Sequence, residues 1–288
     1  MRVKTVRGDS RPTLVRKGGL ALVMIVPFNG PAVMVRGEAC PIFVIETHQL
    51  TKMFRDRKRG EVRAVDGINF RCEPGRIYGL LGANGAGKTT TLRLLATLLK
   101  PSSGTIWVAG CDAVREPQKV RARIGFLSTG TALYGRLTAR ETVEYFGRLH
   151  GVAEDLLQER IREVFSTLGM GEFEDRRCDK LSSGMKQKVS IARTLVHDPP
   201  VMIFDEPTVG LDVMTARTIV QFIRDCRQKG KTVIVSTHVM SEAEKLCDRI
   251  GIIDRGRLLV DGTLAELRTQ YGVTDLEDIF VRVVEGRP

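Results

Sequence analysis

An eight-residue segment from Gly82 to Thr89 has the pattern G-x-x-x-x-G-K-[ST], in which glycines, a lysine and a hydroxyl recur at fixed spacing. It follows an apolar run that ends at Leu81 and precedes a helical stretch from Thr90 to Leu99. Glycines let backbone amides wrap around a phosphate, and the N-terminus of the following helix adds its positive end. In this pattern Lys88 lies between the β- and γ-phosphates, and the hydroxyl of Thr89 reaches Mg²⁺. The segment therefore predicts a nucleoside triphosphate site made of Gly82, Ala83, Asn84, Gly85, Ala86, Gly87, Lys88, Thr89 and Thr90.

Two carboxylates follow a second apolar run, Val201 to Phe204. This run has no polar alternation, as in a parallel strand that is covered on both faces. Asp205, the first carboxylate, could hold Mg²⁺ through water. Glu206, one residue further toward the γ-phosphate, could polarise an attacking water. Such a strand end is common by itself, but together with the phosphate-binding segment it predicts hydrolysis of the triphosphate.

A third segment, Leu181 to Lys188, reads LSSGMKQK. Ser182 suits the N-cap of a helix, and Ser183 and Gly184 would expose amides in its first turn. Exposed amides at a helix start bind anions. On local pattern alone, an ordinary capped helix explains the segment equally well.

The elements that carry these residues alternate between strands and helices. A further buried-strand run spans Thr232 to Val235, a helix should follow the N-cap residue Asp212, and a largely helical block runs from Thr138 to Val196. This alternation predicts an α/β fold. Capping boxes, in which a hydroxyl and a carboxylate satisfy each other's helix-start amides, are predicted at three places: Thr138 with Glu141, Ser241 with Glu244, and Thr263 with Glu266.

Composition excludes several classes of protein. Of 288 residues, 42% are apolar and 27% charged, which excludes a disordered chain, a collagen-like fibre and a polytopic membrane protein. The six cysteines fit no zinc pattern. The formal net charge is +11, and residues 1–43 alone hold seven Lys or Arg and two Asp or Glu. We expect this N-terminal extension to be a disordered tail or to reflect a start assigned too early, with Met34 as the true start. Its apolar stretch, Leu20 to Val35, is too short and too broken by proline and glycine to span a bilayer.

The three motifs, in this order, resemble those of the ATP-binding subunit of an ABC transporter. LSSGMKQ resembles the family signature LSGGQ, with Ser183 and Met185 as departures, and the resemblance covers about residues 43–284. Sequence segments such as LYGRLTARE resemble those of the sodium-exporter type of ABC ATPase most. The resemblance implies a P-loop NTPase with a RecA-like core, an antiparallel β edge subdomain and a helical subdomain at about residues 128–185. The ATP-binding domain would thus fill residues 44–288.

The resemblance also implies roles for single residues. Phe54 would stack on adenine, although a core phenylalanine is the alternative at that position. Asp212 would belong to the loop that lies across a dimer interface, and His238 would contact the γ-phosphate. Thr129 stands where the family has a glutamine that contacts Mg²⁺. The expected catalytic set is Glu206, His238 and Lys88, with Thr89 and Asp205 as magnesium ligands.

As a whole, the resemblance implies an ATP-hydrolysing subunit on the cytoplasmic face of the cell membrane that powers a separate permease chain, with sodium or drug efflux as the transport. Ser182, Ser183 and Gly184 would reach the ATP of a second ATPase subunit in a head-to-tail dimer. No nucleic-acid partner is expected. The alternatives are an ABC-type ATPase in DNA maintenance or translation, and a nucleotide-binding regulator without turnover.

Overall fold

A computed structural model describes residues 43–56, 60–128 and 132–286, together with three short strands within the first 42 residues. These strands are β1 (Thr13–Lys17), β2 (Leu20–Ile25) and β3 (Val33–Met34), which pair antiparallel in the order β1-β2-β3. These three strands belong to a unit separate from the rest of the chain. The rest of this segment lies outside the described residues, so the expectation for the N-terminal extension stays a prediction.

Two sheets organise the described chain from Phe43 onward. The first has the order β13-β12-β6-β11-β10-β9 and is parallel except for the pair at the β13 edge, where β12 and β13 run antiparallel. Its strands are β6 (Ile77–Leu81), β9 (Ile124–Ser128), β10 (Val201–Asp205), β11 (Thr232–Thr237), β12 (Arg249–Asp254) and β13 (Arg257–Gly262). The second is antiparallel, in the order β5-β4-β7-β8, and consists of β4 (Ile45–Asp56), β5 (Gly60–Cys72), β7 (Ser103–Val108) and β8 (Cys111–Asp112).

The helices follow the strands as the alternation predicts. They are α1 (Lys88–Leu95), α2 (Pro117–Arg123), α3 (Ala139–Leu149), α4 (Glu154–Leu168), α5 (Ser183–Leu195), α6 (Val213–Gln228), α7 (Met240–Leu246), α8 (Leu264–Tyr271) and α9 (Leu276–Glu285). None of the helices in the described part of the chain is long and apolar enough to cross a membrane.

Burial explains the apolar runs. Every residue of β6, β10 and β11 is buried, because helices cover both faces of the parallel sheet. The carboxyl ends of these strands meet at one edge of the sheet, where the chain continues into Gly82, Glu206 and His238. The predicted α/β fold is confirmed, and this edge brings the chemically active residues together.

The helical subdomain is built from α3, α4 and α5. Their apolar faces share one buried cluster that continues beneath the parallel sheet and includes Val143, Ile161, Phe165, Val189 and Phe204. The capping box of Thr138 and Glu141 at the start of α3 is present, as is that of Thr263 and Glu266 at α8.

The third predicted capping box, Ser241 with Glu244, is wrong. Helix α7 begins at Met240, so Ser241 lies inside the helix, and its N-cap residue Val239 makes no side-chain cap. Glu244 is engaged elsewhere, because its Oε1 accepts a hydrogen bond of 3.1 Å from the amide of Leu276. A long-range partner therefore replaces the local one.

Candidate functional site

The loop from Gly82 to Gly87 joins β6 to α1, and the glycines at its two ends have steric reasons to be glycine. A Cβ on Gly82 would collide with the carbonyl oxygen of Ile253. Gly87 has φ of 111°, and a Cβ there would lie 2.5 Å from the carbonyl oxygen of Ala64. The loop is also held from outside, since the amide of Gly256 donates to the carbonyl of Ala86 at 2.8 Å. The loop is thus wedged between β5 and the turn after β12.

Lys88 opens α1 and is only 4% exposed. Its Nζ donates to the carbonyl oxygens of Gly82 at 2.7 Å and Ala83 at 3.1 Å, which hold it over the loop. The same Nζ lies 3.1 Å from Oε1 of Glu206, and Nδ1 of His238 lies 3.3 Å from that oxygen. The structure therefore brings the three predicted catalytic residues together around one carboxylate oxygen.

Asp205 and Thr89 form the second half of this cluster. Thr89 Oγ1 donates to Asp205 Oδ1 at 3.1 Å, and Asp205 is buried. A hydroxyl and a carboxylate side by side are hard oxygen ligands of the kind that Mg²⁺ prefers. The predicted metal ligands are thus adjacent, and their chemistry fits the ion.

Ser236 is a site residue that sequence reasoning missed. Its buried hydroxyl donates to Asp205 Oδ1 at 2.7 Å and accepts from the amide of Glu206 at 3.0 Å. It is the second-last residue of β11 and lies directly opposite Asp205 in the parallel register. Its position just before Thr237 and His238 is the sequence signal that could have found it. The backbone of Glu206 is left-handed, with φ of 49°. The hydrogen bond from its amide to the Ser236 hydroxyl supports that conformation.

The first turn of α5 lies against the first turn of α6. Ser182 is the N-cap of α5 and accepts from the amide of Met185 at 3.3 Å, as predicted. A Cβ on Gly184 would lie 2.9 Å from Thr215 Oγ1, so glycine permits this close approach. Asp212 caps α6 by accepting from the amide of Thr215 at 2.9 Å. In the described chain no hydrogen bond or ion pair joins Ser182, Ser183 or Gly184 to the P-loop, so the structure does not bring these predicted site residues to Lys88.

Phe54 and Thr129 are the two remaining positions to which the sequence assigned a role. Phe54, on β4, is 39% exposed with Lys52 Nζ 5.2 Å from its ring centroid, so the reading of Phe54 as a core residue is wrong. Thr129 lies outside the described residues, and its substitution for glutamine stays a prediction about the sequence.

Comparisons with known proteins agree with this geometry. The ABC transporter family matches residues 65–209. The chain is 42% identical over 238 residues to the ABC transporter ATP-binding protein NatA of Bacillus subtilis (strain 168), covering 82% of this chain and 96% of NatA. It is 38% identical over 232 residues to the daunorubicin/doxorubicin resistance ATP-binding protein DrrA of Streptomyces peucetius, covering 81% of this chain and 69% of DrrA. A solved dimeric ATP-binding cassette in a post-hydrolysis state with ADP and Pi has a TM-score of 0.70 at 27% identity, covering 76% of this chain and 98% of that one.

The parallel sheet, the glycine loop and the carboxylates at its edge define a P-loop nucleotide hydrolase. The chain belongs to the ABC transporter family, as an ATP-binding and ATP-hydrolysing subunit. The resemblance to the ATP-binding subunit of an ABC transporter is confirmed by the family match and by the match to NatA. The relatives are named for transport and drug resistance, which does not support the alternative in DNA maintenance or translation, nor that of a regulator without turnover.

Proposed function

We propose that Glu206 is the base of ATP hydrolysis in this chain, with Lys88 and His238 completing the catalytic set. The observation that carries this is the shared carboxylate oxygen, 3.1 Å from Lys88 Nζ and 3.3 Å from His238 Nδ1. A carboxylate next to the phosphate-binding lysine is placed to accept a proton from an attacking water. The lysine and the imidazole lie where negative charge develops on the departing phosphate.

The remaining residues of the site hold the nucleotide. Backbone amides of the loop from Gly82 to Gly87 and the N-terminus of α1, with Thr90, would hold the phosphates. Thr89 and Asp205 would hold Mg²⁺, which supplies charge neutralisation for the triphosphate. Phe54 would stack on adenine, because its exposed ring offers an aromatic face to a base.

A second subunit is needed to close the site. The signature residues Ser182, Ser183 and Gly184 present a capped helix start that is exposed at its two serines. We infer that this helix start binds the phosphates of ATP held by the P-loop of a second ATPase subunit, and that Asp212 lies across the interface between them. The working unit is a head-to-tail dimer with two composite sites. A solved relative of this fold is itself dimeric, with ADP and Pi bound.

The partner that uses the energy is an integral membrane permease. NatA and DrrA are named as ABC transporter and drug-resistance ATP-binding proteins, which supports a role at the cytoplasmic face of a membrane. The name of DrrA supports drug efflux as the transport, and sodium efflux is the alternative that the sequence resemblance implies.

Magnesium titration tests the metal ligands of this proposal. ATP turnover of the full chain is measured against Mg²⁺ concentration for the wild type, Thr89→Ser and Thr89→Val. We expect Thr89→Val to need a much higher Mg²⁺ concentration for half-maximal turnover, because it removes the hydroxyl at nearly constant shape. Thr89→Ser keeps the hydroxyl and should resemble the wild type. An unchanged Mg²⁺ dependence in Thr89→Val would contradict the assignment.

A further inference from the structure

Gln187 connects the helical subdomain to the loop that carries Glu206. It lies in the second turn of α5 and is half-buried. Its side-chain Nε2 donates a hydrogen bond of 3.1 Å to the carbonyl oxygen of Pro207. Pro207 directly follows Glu206 in the chain. The bond therefore ends one residue from the carboxylate that we propose as the base.

The backbone at Glu206 and Pro207 depends on support from outside the loop. Glu206 has φ of 49°, a left-handed conformation that residues other than glycine rarely adopt. Conformations of this kind persist where the surrounding structure holds them. Proline has no N–H, so the carbonyl is the one backbone hydrogen-bonding group of Pro207. Gln187 binds that group, and its bond acts on the segment from which the Glu206 side chain projects.

Three elements hold this loop through side-chain hydrogen bonds. The hydroxyl of Ser236 on β11 accepts from the amide of Glu206 at 3.0 Å. Thr208 Oγ1 donates to Glu242 Oε2 on α7 at 2.9 Å. The third bond is the one from Gln187 on α5, and of these three supports it alone comes from the helical subdomain. A shift of that subdomain can thus reach Glu206 through this bond.

Gln187 shares its helix with the residues that begin α5. The N-cap residue Ser182 accepts from the amide of Lys186 at its carbonyl, at 2.9 Å, and from the amide of Met185 at its hydroxyl, at 3.3 Å. The backbone bonds of an α-helix join each turn to the next, so a short helix moves as one piece. An anion bound at the first turn of α5 would therefore act on Gln187, which lies one turn further along.

We propose that Gln187 is a positioning residue for Glu206. Through the carbonyl of Pro207 it sets the orientation of the Glu206 carboxylate when the first turn of α5 holds the phosphates of ATP bound to a second subunit. The inference rests on the proposed function, because it takes Glu206 as the base and α5 as the helix that meets the opposing ATP. Gln187 acts through the backbone and is not itself a catalytic residue. Its N–H donor carries the role, whereas its volume does not.

Steady-state kinetics of the full chain test the donor. ATP turnover is measured for the wild type, Gln187→Met, Gln187→Glu and Gln187→Lys. Methionine has a similar size but no donor and leaves the Pro207 carbonyl unpaired, so kcat should fall about tenfold. Gln187→Glu places a carboxylate against that carbonyl and should lose at least as much. Gln187→Lys keeps a donor of similar reach and should recover part of the loss.

A matched control separates positioning from a loss of stability. Gln158 is also a half-buried glutamine of the helical subdomain, and its Nε2 donates to Glu154 Oε1 at 3.2 Å. Gln158→Met should change the melting temperature as Gln187→Met does, but it should turn over ATP like the wild type. KM for ATP should stay within about twofold in both variants, because Lys88 and the glycine loop are untouched.

A double-mutant cycle tests the path through α5. We expect Ser182→Ala to weaken the helix start and to slow turnover in the wild-type background. Because the effect of α5 on Glu206 passes through Gln187, the same change should slow Gln187→Met by less than about twofold, whereas independent effects would multiply.

Three results would overturn the positioning role: a wild-type kcat in Gln187→Met, an equal loss of turnover in Gln158→Met, or losses that multiply in the cycle. Glu206→Gln separates this inference from the proposed function. Near-normal turnover in Glu206→Gln removes the base itself, whatever the Gln187 variants do. A Glu206→Gln chain that has lost hydrolysis, beside a Gln187→Met chain with wild-type kcat, removes the positioning role alone.

Discussion

The edge of the parallel sheet where the strands end and the first turn of α5 both present groups suited to anions. The two regions differ in how many partners a single chain supplies for those groups. At the sheet edge, Lys88 pairs with Glu206, and the hydroxyl of Ser236 joins the amide of Glu206 to Asp205, all within one chain. At α5, Ser182 caps its own helix, and Gly184 packs on Thr215 of α6. The sheet edge is preorganised by contacts within its own fold. The first turn of α5 instead presents the amides of Ser183 and Gly184 at a capped helix start.

This difference explains how hydrolysis can depend on assembly. A site that is complete in one chain would hydrolyse ATP without a partner. In the proposed composite site, the residues that would bind ATP and those that would close over it lie on different surfaces, so hydrolysis would wait for a second subunit to finish the site. Variants in the two regions should therefore fail in different assays.

The largest effect is expected from Lys88→Ala. It removes the buried cation of the P-loop and leaves Glu206 without its neighbour, so ATP affinity should fall by more than about 100-fold, since each bond to a charged group contributes roughly 1.5–3 kcal/mol. Turnover should vanish with it. The measurement is equilibrium titration with a fluorescent ATP analogue. Lys186→Ala, in the signature segment, is the control and should bind ATP like the wild type; equal losses in both variants would remove the distinction between the regions.

A smaller loss is expected from Ser236→Ala. The alanine removes the hydrogen bond to Asp205 and the one from the amide of Glu206, so both carboxylates lose a support. Two lost bonds in a buried site cost about 1–3 kcal/mol, which corresponds to roughly 5- to 150-fold in kcat. ATP affinity should change little, because Lys88 and the glycine loop are untouched. Steady-state kinetics would show a lower kcat with little change in ATP affinity. An unchanged kcat would show that the hydrogen bonds of the Ser236 hydroxyl have no catalytic importance.

Phe54→Ala probes the adenine side of the first region. Loss of base stacking costs about 1–3 kcal/mol, so ATP should bind roughly 5- to 150-fold more weakly, while Phe54→Tyr and Phe54→Trp keep an aromatic face. Inorganic tripolyphosphate lacks a base, and its affinity should be the same for all variants. If the alanine and tyrosine variants bind ATP equally well, the adenine platform lies elsewhere.

The smallest effect is expected from Ser182→Ala. Loss of an N-cap costs about 0.5–2 kcal/mol, and the melting temperature should fall by a few degrees. Thr263→Ala removes a comparable cap from α8 and is the matched control. Both variants should melt earlier and bind ATP normally, but only Ser182→Ala should slow ATP turnover. Equal turnover in the two would leave α5 as an ordinary capped helix.

The sequence predicted most of the first region because its signals are local. Apolar runs without alternation identify buried parallel strands, and the P-loop pattern specifies its own backbone. Ser236 was not predicted, since a serine at a strand end is common and only the register of β11 against β10 places it on Asp205. Ser241 was assigned to a cap because the local pattern fits, but a partner 32 residues away, Leu276, engages Glu244.

Size-exclusion chromatography of Glu206→Gln with and without ATP tests the composite site most directly. The amide fits the space but accepts no proton, so hydrolysis should fall by roughly 10²–10⁴ while Lys88, Thr89 and Asp205 still bind Mg-ATP. With the nucleotide intact, the closed pair should persist, and the variant should elute as a dimer with ATP and as a monomer without it. Adding Ser182→Arg should abolish that dimer, because bulk and charge at α5 would block the opposing ATP. A Glu206→Gln chain with near-normal turnover, or one that stays monomeric at saturating Mg-ATP, would contradict this account.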